Sequence, residues 1–179
     1  KGVKKMKEAL VVIDMQNDFI DGSLGTTEAQ KIVPCVIKKI NSFSGDLYYT
    51  RDTHSEDYLN TLEGKKLPIL HCIKDSFGWQ IQKDVWEAGA AKNPIIIDKP
   101  TFASTQLAQT LAQKQYDRIT LVGLCTDICV ISNALNIKAL LWEIPIVVEE
   151  ACCAGVTPQS HKQALNAMTM CQIDIIPAG

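Results

Sequence analysis

Ala9-Leu10-Val11-Val12-Ile13 runs without a polar interruption and stops at Asp14. So short and unbroken an apolar run suits a parallel strand buried on both faces, which obliges the chain to supply covering helices on both sides. The pattern recurs. Asp46-Leu47-Tyr48-Tyr49-Thr50, Asn93-Pro94-Ile95-Ile96-Ile97-Asp98, Arg118-Ile119-Thr120-Leu121-Val122, Pro145-Ile146-Val147-Val148-Glu149 and Ile173-Asp174-Ile175-Ile176 each read as a strand. Helical segments fall between them. Residues 27–43 carry Ile32, Val33, Val36, Ile37 and Ile40 at helical spacing, with Pro34 the residue against it. Ser104 is placed to cap a helix reaching Lys114, residues 131–140 read as another, and Thr157-Pro158 opens the last. Strands alternating with helices predict an α/β fold. The expected form is a three-layer α/β/α arrangement around a six-stranded, mostly parallel sheet with right-handed crossovers.

The length of 179 residues suits one domain with a sizeable core, and no linker or repeat divides it, so 1–179 is read as a single domain. A formal net charge of −2 without a basic block argues against a nucleic-acid partner. No apolar run reaches the length of a membrane span. Residues 1–7 are basic, but the apolar run behind them reaches Asp14 without a small-residue cleavage site, so no signal peptide is expected. The seven cysteines are scattered, with no paired Cys-x-x-Cys units. That fits a reducing, cytoplasmic setting better than a disulfide framework.

In parallel sheets ligands bind beyond the carboxyl ends of the strands. Asp14, Asp52, Lys99 and the stretch Cys125 to Cys129 all fall at such ends. Cys129 lies between a strand and a helix, where free N–H groups and the helix dipole favour a thiolate. Alone, a free cysteine is more often a small buried hydrophobe; the acids and the lysine at the other strand ends favour a nucleophile. The polar segment 51–70 reads as a long loop of functional or disordered character. It supplies Arg51-Asp52-Thr53-His54 and Glu63, and His71 follows. Two imidazoles with carboxylates suit Zn, Mn or Fe. His161 reads as a cap on the last helix.

Three blocks carry a resemblance: Val12-Ile13-Asp14-Met15-Gln16-Asn17-Asp18-Phe19, Lys99 after its strand, and Gly123-Leu124-Cys125-Thr126-Asp127-Ile128-Cys129-Val130. Glu150-Ala151-Cys152 and Thr157-Pro158-Gln159-Ser160-His161 add to it. The chain resembles the isochorismatase-like cysteine hydrolases, and within them the nicotinamidase (pyrazinamidase) branch. The resemblance implies the isochorismatase-like hydrolase fold and an Asp–Lys–Cys triad at Asp14, Lys99 and Cys129. It implies an oxyanion hole from the N–H groups of Cys129 and Cys125, the latter presented by a cis peptide between Leu124 and Cys125. Cys125 stands where the family more often has alanine, and two free thiols are expected there rather than a disulfide. The branch binds a metal with a matching set. Asp52, His54 and His71 fit its pattern, and Glu63 is the first choice for a fourth ligand, with Glu56 and Asp57 as rivals. A divalent ion, zinc first, is the implied cofactor. Phe19, Phe102 and Trp79 are candidates to stack on a flat substrate.

The expected activity is hydrolysis of nicotinamide to nicotinate and ammonia through a thioester on Cys129. A related reaction on another small amide or carbamoyl compound is the neighbouring alternative. A small-molecule amide and a homo-oligomer are the implied partners, with no membrane. A Cys–His hydrolase using His71 or His161 as base fits less well, since nothing in the sequence places either beside Cys129. A redox switch at Cys125 and Cys129 leaves Asp14, Lys99 and the histidines unexplained.

Overall fold

The strands β1 (Glu8–Ile13), β2 (Asp46–Asp52), β3 (Ile95–Lys99), β4 (Arg118–Leu124), β5 (Ile146–Ala154) and β6 (Asp174–Ile176) form one sheet in the order β3-β2-β1-β4-β5-β6. Every pairing between neighbours is parallel. These coordinates come from a computed structural model that describes residues 6–179; the basic start at 1–5 lies outside the described residues. The helices are α1 (Asn17–Ile20), α2 (Thr27–Ser42), α3 (Leu62–Lys66), α4 (Lys83–Ala90), α5 (Thr105–Ala112), α6 (Ile131–Leu140) and α7 (Pro158–Met170). Among the described residues, none of these helices is long and apolar enough to cross a membrane.

Each face of the sheet has its own core. On one, Leu10, Val12, Leu47 and Tyr49 pack with Ile32, Val36 and Ile40 of α2 and Val85 of α4. On the other, Val11, Ile13, Ile119 and Leu121 pack with Leu107 of α5, Ile137 of α6 and Met168 of α7. Burial of Ala9 to Ile13 from both sides explains why β1 has no polar face. Pro34 lies on the exposed side of α2, where the carbonyl it leaves unpaired meets water.

The chain winds outward from β1 through β2 to β3, then crosses back to lay β4 on the other side of β1. The β1–β4 junction is therefore the topological switch point, where a crevice opens beyond the strand ends. A glycine is required on β4 there. Gly123 pairs with Ile13 at φ +118°, and a Cβ on it would sit 2.1 Å from the Ile13 carbonyl oxygen.

Several elements differ from the sequence expectation. Residues 51–70 are not a structureless loop: a 3₁₀ turn (Tyr58–Asn60) and α3 lie within them. Tyr58 is fully buried and its hydroxyl donates to the Leu67 carbonyl at 2.9 Å. The short helix α4 fills a stretch in which no element was expected. β5 continues past Glu149 and Glu150 to Ala154.

Candidate active site

Lys99 closes β3 with its side chain fully buried. Its Nζ lies 2.5 Å from Asp14 Oδ2 and 3.5 Å from Cys129 Sγ. Asp52 Oδ1 stands 3.7 Å away, and Nζ also donates to the Thr101 carbonyl at 3.1 Å. A buried ammonium needs such partners. Burial works to lower the lysine pKa, but Asp14, Cys129 and Asp52 outweigh it and hold the group charged. Burial pushes the Asp14 carboxyl up against the pull of Lys99. Burial, then Asp14, pushes the Cys129 thiol well above its usual value, with Lys99 opposing. One buried cation therefore faces two groups that resist being anions together. A proton passing from thiol to carboxylate keeps the charge balanced.

Local structure explains these placements. Asp14 ends β1 at φ +47°, a left-handed conformation that Asp and Asn tolerate better than most residues. Cys129 sits in a single π-type turn, Thr126–Val130, between β4 and α6. The Cys125 carbonyl accepts from the N–H groups of Ile128 at 3.1 Å and Val130 at 3.0 Å. The Leu124–Cys125 peptide is cis, and all seven cysteines are free. Burial pushes the Cys125 thiol up to about 12, so it is a neutral neighbour.

Asp52, His54, Glu63 and His71 each offer a ligand atom, and the four atoms lie within 4.8 Å of one another. His54 Nε2 is 3.0 Å and His71 Nε2 3.5 Å from Asp52 Oδ2. Glu63 Oε1 stands 3.7 Å from His54 Nε2 and 3.9 Å from His71 Nε2. The rivals Glu56 and Asp57 are exposed and outside this group. The donor set fits a divalent cation on two counts. His71 Nδ1 lies 2.8 Å from the Ile69 carbonyl; an N–H donated there leaves the Nε2 lone pair facing the carboxylates. Asp52 Oδ1 is buried without a hydrogen-bond partner among the described residues. Burial works to raise the Asp52 pKa, but hydrogen bonds to His54 and His71 prevail and hold it below the usual carboxylate range. Burial, then Asp52, raises that of Glu63.

Both groups open onto one cavity of about 230 Å³. Phe19, Leu24, Leu67, Phe102, Ile128 and Val156 give it apolar walls; Thr26, Asp52, Glu63, His71, Cys125 and Cys129 complete the lining. Phe19 also leans on the His71 ring, with centroids 5.6 Å apart. Trp79 is not part of that lining. Its indole N–H donates to Thr53 Oγ1 at 2.9 Å, and the Arg51 guanidinium lies over its ring at 3.7 Å. Those partners occupy it outside the cavity, whereas Phe19 and Phe102 are part of the lining.

Other positioning residues escaped the sequence reading. Gln16 accepts from the Asp52 N–H at 2.7 Å and donates to the Asp52 and Trp79 carbonyls, each at 2.8 Å. Asp18 accepts from the Cys72 N–H at 2.7 Å, fixing the residue after His71. Asn133 donates to the Cys129 and Phe102 carbonyls at 2.8 and 2.9 Å, tying the cysteine turn to the Phe102 loop. Gln16 and Asp18 were visible as part of the first block; Asn133, fully buried, shares α6 with Ser132, Asn136 and Lys138, so nothing in the sequence set it apart.

A family model described as the isochorismatase domain matches residues 8–178. The chain belongs to the isochorismatase family. An isochorismatase family protein of Bacillus subtilis, PncA, is 30% identical over 178 residues, covering 90% of this chain and 93% of the relative. The crystal structure of nicotinamidase PncA from Bacillus subtilis has a TM-score of 0.82 at 26% identity, over 95% of this chain and 99% of that one. Pyrazinamidase of Pyrococcus horikoshii, solved in complex with zinc, has a TM-score of 0.80 at 28% identity, over 96% and 99%. The fold, the membership of a nicotinamidase-like hydrolase family and an amidohydrolase activity follow from these likenesses together.

Proposed function

We propose that the protein hydrolyses nicotinamide to nicotinate and ammonia. The observation that carries this reading is the shared cavity: Cys129 of the Asp14–Lys99–Cys129 cluster and Asp52, Glu63 and His71 of the metal-binding group all line it. A flat aromatic amide offers a carbonyl to one cluster and a ring nitrogen to the other.

Cys129 Sγ attacks the amide carbonyl while Asp14 takes its proton. The backbone N–H groups of Cys125 and Cys129 receive the oxyanion. Asp14 returns the proton to the leaving ammonia, and a thioester remains on Cys129. Water, deprotonated by Asp14, then releases nicotinate and restores the thiol. Lys99 stays protonated and balances whichever of Asp14 or Cys129 carries the negative charge. Asp52, His54, Glu63 and His71 would hold a divalent ion, which supplies a Lewis acid that orients the ring away from the bond being cut. Phe19 and Phe102 flank the ring.

The cavity lining supports this substrate over carbamoyl compounds that carry a carboxylate. None of its twelve side chains is Lys or Arg, so a substrate carboxylate would meet no side-chain cation there, only the metal site and the backbone N–H groups assigned to the amide carbonyl. The test is ammonia release from nicotinamide by the metal-loaded protein, with Cys129→Ala as control. Release above that control supports the reading, and its absence rejects nicotinamide as substrate.

A further inference from the structure

The notable side chain outside the catalytic and metal clusters is His161. It does not cap α7. Thr157 does, accepting from the Ser160 N–H while Ser160 Oγ accepts from the Thr157 N–H. His161, one residue further on, is turned toward the cysteine turn. Its Nδ1 lies 2.7 Å from Thr126 Oγ1, and its Nε2 stands 3.9 Å from Glu150 Oε1. Thr126 is fully buried and directly follows Cys125. Space for this contact is built in: a Cβ on Gly155 would lie 2.9 Å from His161 Cα, Cβ and N. A second tether runs beside the first, as the Asp127 carboxylate accepts from the Val156 N–H at 3.1 and 3.2 Å. The turn that carries Cys129, with Cys125 just before it, is thus held from outside by His161 of α7 and by Val156 of the segment joining β5 to α7.

The geometry points to His161 as a positioning residue for the oxyanion hole, acting through Thr126 to keep the Cys125 N–H aimed into the cavity. Thr126 donates its hydroxyl proton to a neutral His161, whose other nitrogen faces Glu150. This assignment rests on the proposed roles of Cys125 and Cys129 but not on the identity of the natural amide.

Two reactions of the same thiol separate the possibilities. With p-nitrophenyl acetate, Cys129 Sγ bonds to the acetyl carbon, the ester C–O bond breaks, and p-nitrophenolate leaves with the electron pair. That route passes through an oxyanion. Alkylation by iodoacetamide displaces iodide at a saturated carbon and does not. Both rates are measured on the metal-loaded parent, His161→Ala, Thr126→Val, the double variant and His161→Asn, in a background carrying Cys125→Ala with the exposed Cys35 and Cys171 also changed to Ala, and the rate left in a Cys129→Ala version of that background is subtracted. The backbone N–H survives that background change.

His161→Ala and Thr126→Val should each slow acylation by about tenfold or more, short of the loss expected on deleting a donor outright. Alkylation should stay within about twofold, the double variant should lose no more than either single one, and His161→Asn should recover most of the rate. Parallel losses in acylation and alkylation, multiplying losses in the double variant, or unchanged acylation would each overturn the assignment. Nicotinamide turnover by the wild type is scored separately. If it is absent the proposed substrate fails, while the acylation-to-alkylation ratio still decides the role of His161.

Discussion

Thr50 Oγ1 donates to Asp14 Oδ1 at 2.6 Å, and the Asp14 backbone N–H points back at the same hydroxyl at 3.1 Å. The pair locks the carboxylate at the end of β1 to the neighbouring strand, so Oδ2 is the oxygen left facing Lys99. Thr50→Val should therefore lower kcat on nicotinamide by about tenfold through misorientation of the base, with a smaller effect on KM. Asp14→Asn should cost about 10³-fold or more in kcat, because it removes proton transfer while keeping a residue that tolerates positive φ. Steady-state kinetics that rank the two variants the other way would show that Asp14 is not the base.

The thiol assignment is tested by a pair of variants. Cys129→Ala should abolish turnover and keep the native circular dichroism spectrum, since it removes the attacking atom from a packed turn. Cys125→Ala should retain most activity, because only its backbone N–H is needed. Loss of turnover in Cys125→Ala alone, with Cys129→Ala active, would exchange the two roles.

Lys99→Met removes the cation that Asp14 and Asp52 share. It should reduce kcat by about 10²-fold or more. It should also lower stability by about 3–5 kcal/mol at neutral pH, since it leaves buried carboxylates uncompensated. Denaturant unfolding measures the second effect. A Lys99→Met protein with wild-type stability and rate would remove the lysine from the site.

The strand ends were legible in the sequence because a parallel strand buried on both faces has no polar position until it leaves the sheet. Asp14 and the Cys125–Cys129 stretch announce themselves by ending apolar runs, and Lys99 follows Asp98 where the run Ile95–Ile97 has already ended. The segment 51–70 was not legible as structure. What orders it is the fully buried ring of Tyr58 and a helix of five residues, α3, with no apolar period to read. β5 was cut short at Glu149, because the two half-buried glutamates resemble a strand end. They are tolerated inside it: Glu149 pairs with Lys39, and the Glu150 carboxylate stands near His161 and accepts from the Ala178 N–H. Trp79 and His161 were misread for a shared reason. Their partners, Thr53 with Arg51 and Thr126, are distant in sequence, and only the fold brings them together.

His161 should also mark the pH dependence of stability. Burial holds its pKa below the ordinary value of 6.5, against the opposing pull of Glu150 and Asp127. The unfolded chain therefore takes up this proton first as the pH falls. The stability contribution is complete above the unfolded value and is lost as the pH drops from there through the folded value. Denaturant midpoints measured from pH 7.5 to 5.5 should fall more steeply for wild type than for His161→Asn, which has no such proton. Superimposable curves would show that the histidine titrates alike in both states.

The last prediction joins metal to substrate choice. In nicotinamide the carbonyl and the ring nitrogen are held apart by a rigid ring, and the protein presents its two clusters across one cavity. A divalent ion held by Asp52, His54, Glu63 and His71 would restrict the ring to poses that bring the carbonyl to Cys129. Such positioning is worth several kcal/mol in general, or about 10²-fold and upward in rate. Benzamide has the same shape and no ring nitrogen, so it keeps the apolar contacts with Phe19 and Phe102 and loses the orientation. One divalent ion should therefore copurify with the protein, and kcat/KM should be at least about 10²-fold higher for nicotinamide than for benzamide. Removing the ion with a chelator, or substituting His54→Ala, should collapse that ratio while the alkylation rate of Cys129 changes little, because alkylation needs no oriented ring. Elemental analysis, the two amide assays and the alkylation rate together read the outcome. Equal rates on the two amides with metal bound, or an undiminished preference in protein verified to be metal-free, would refute orientation by the ion.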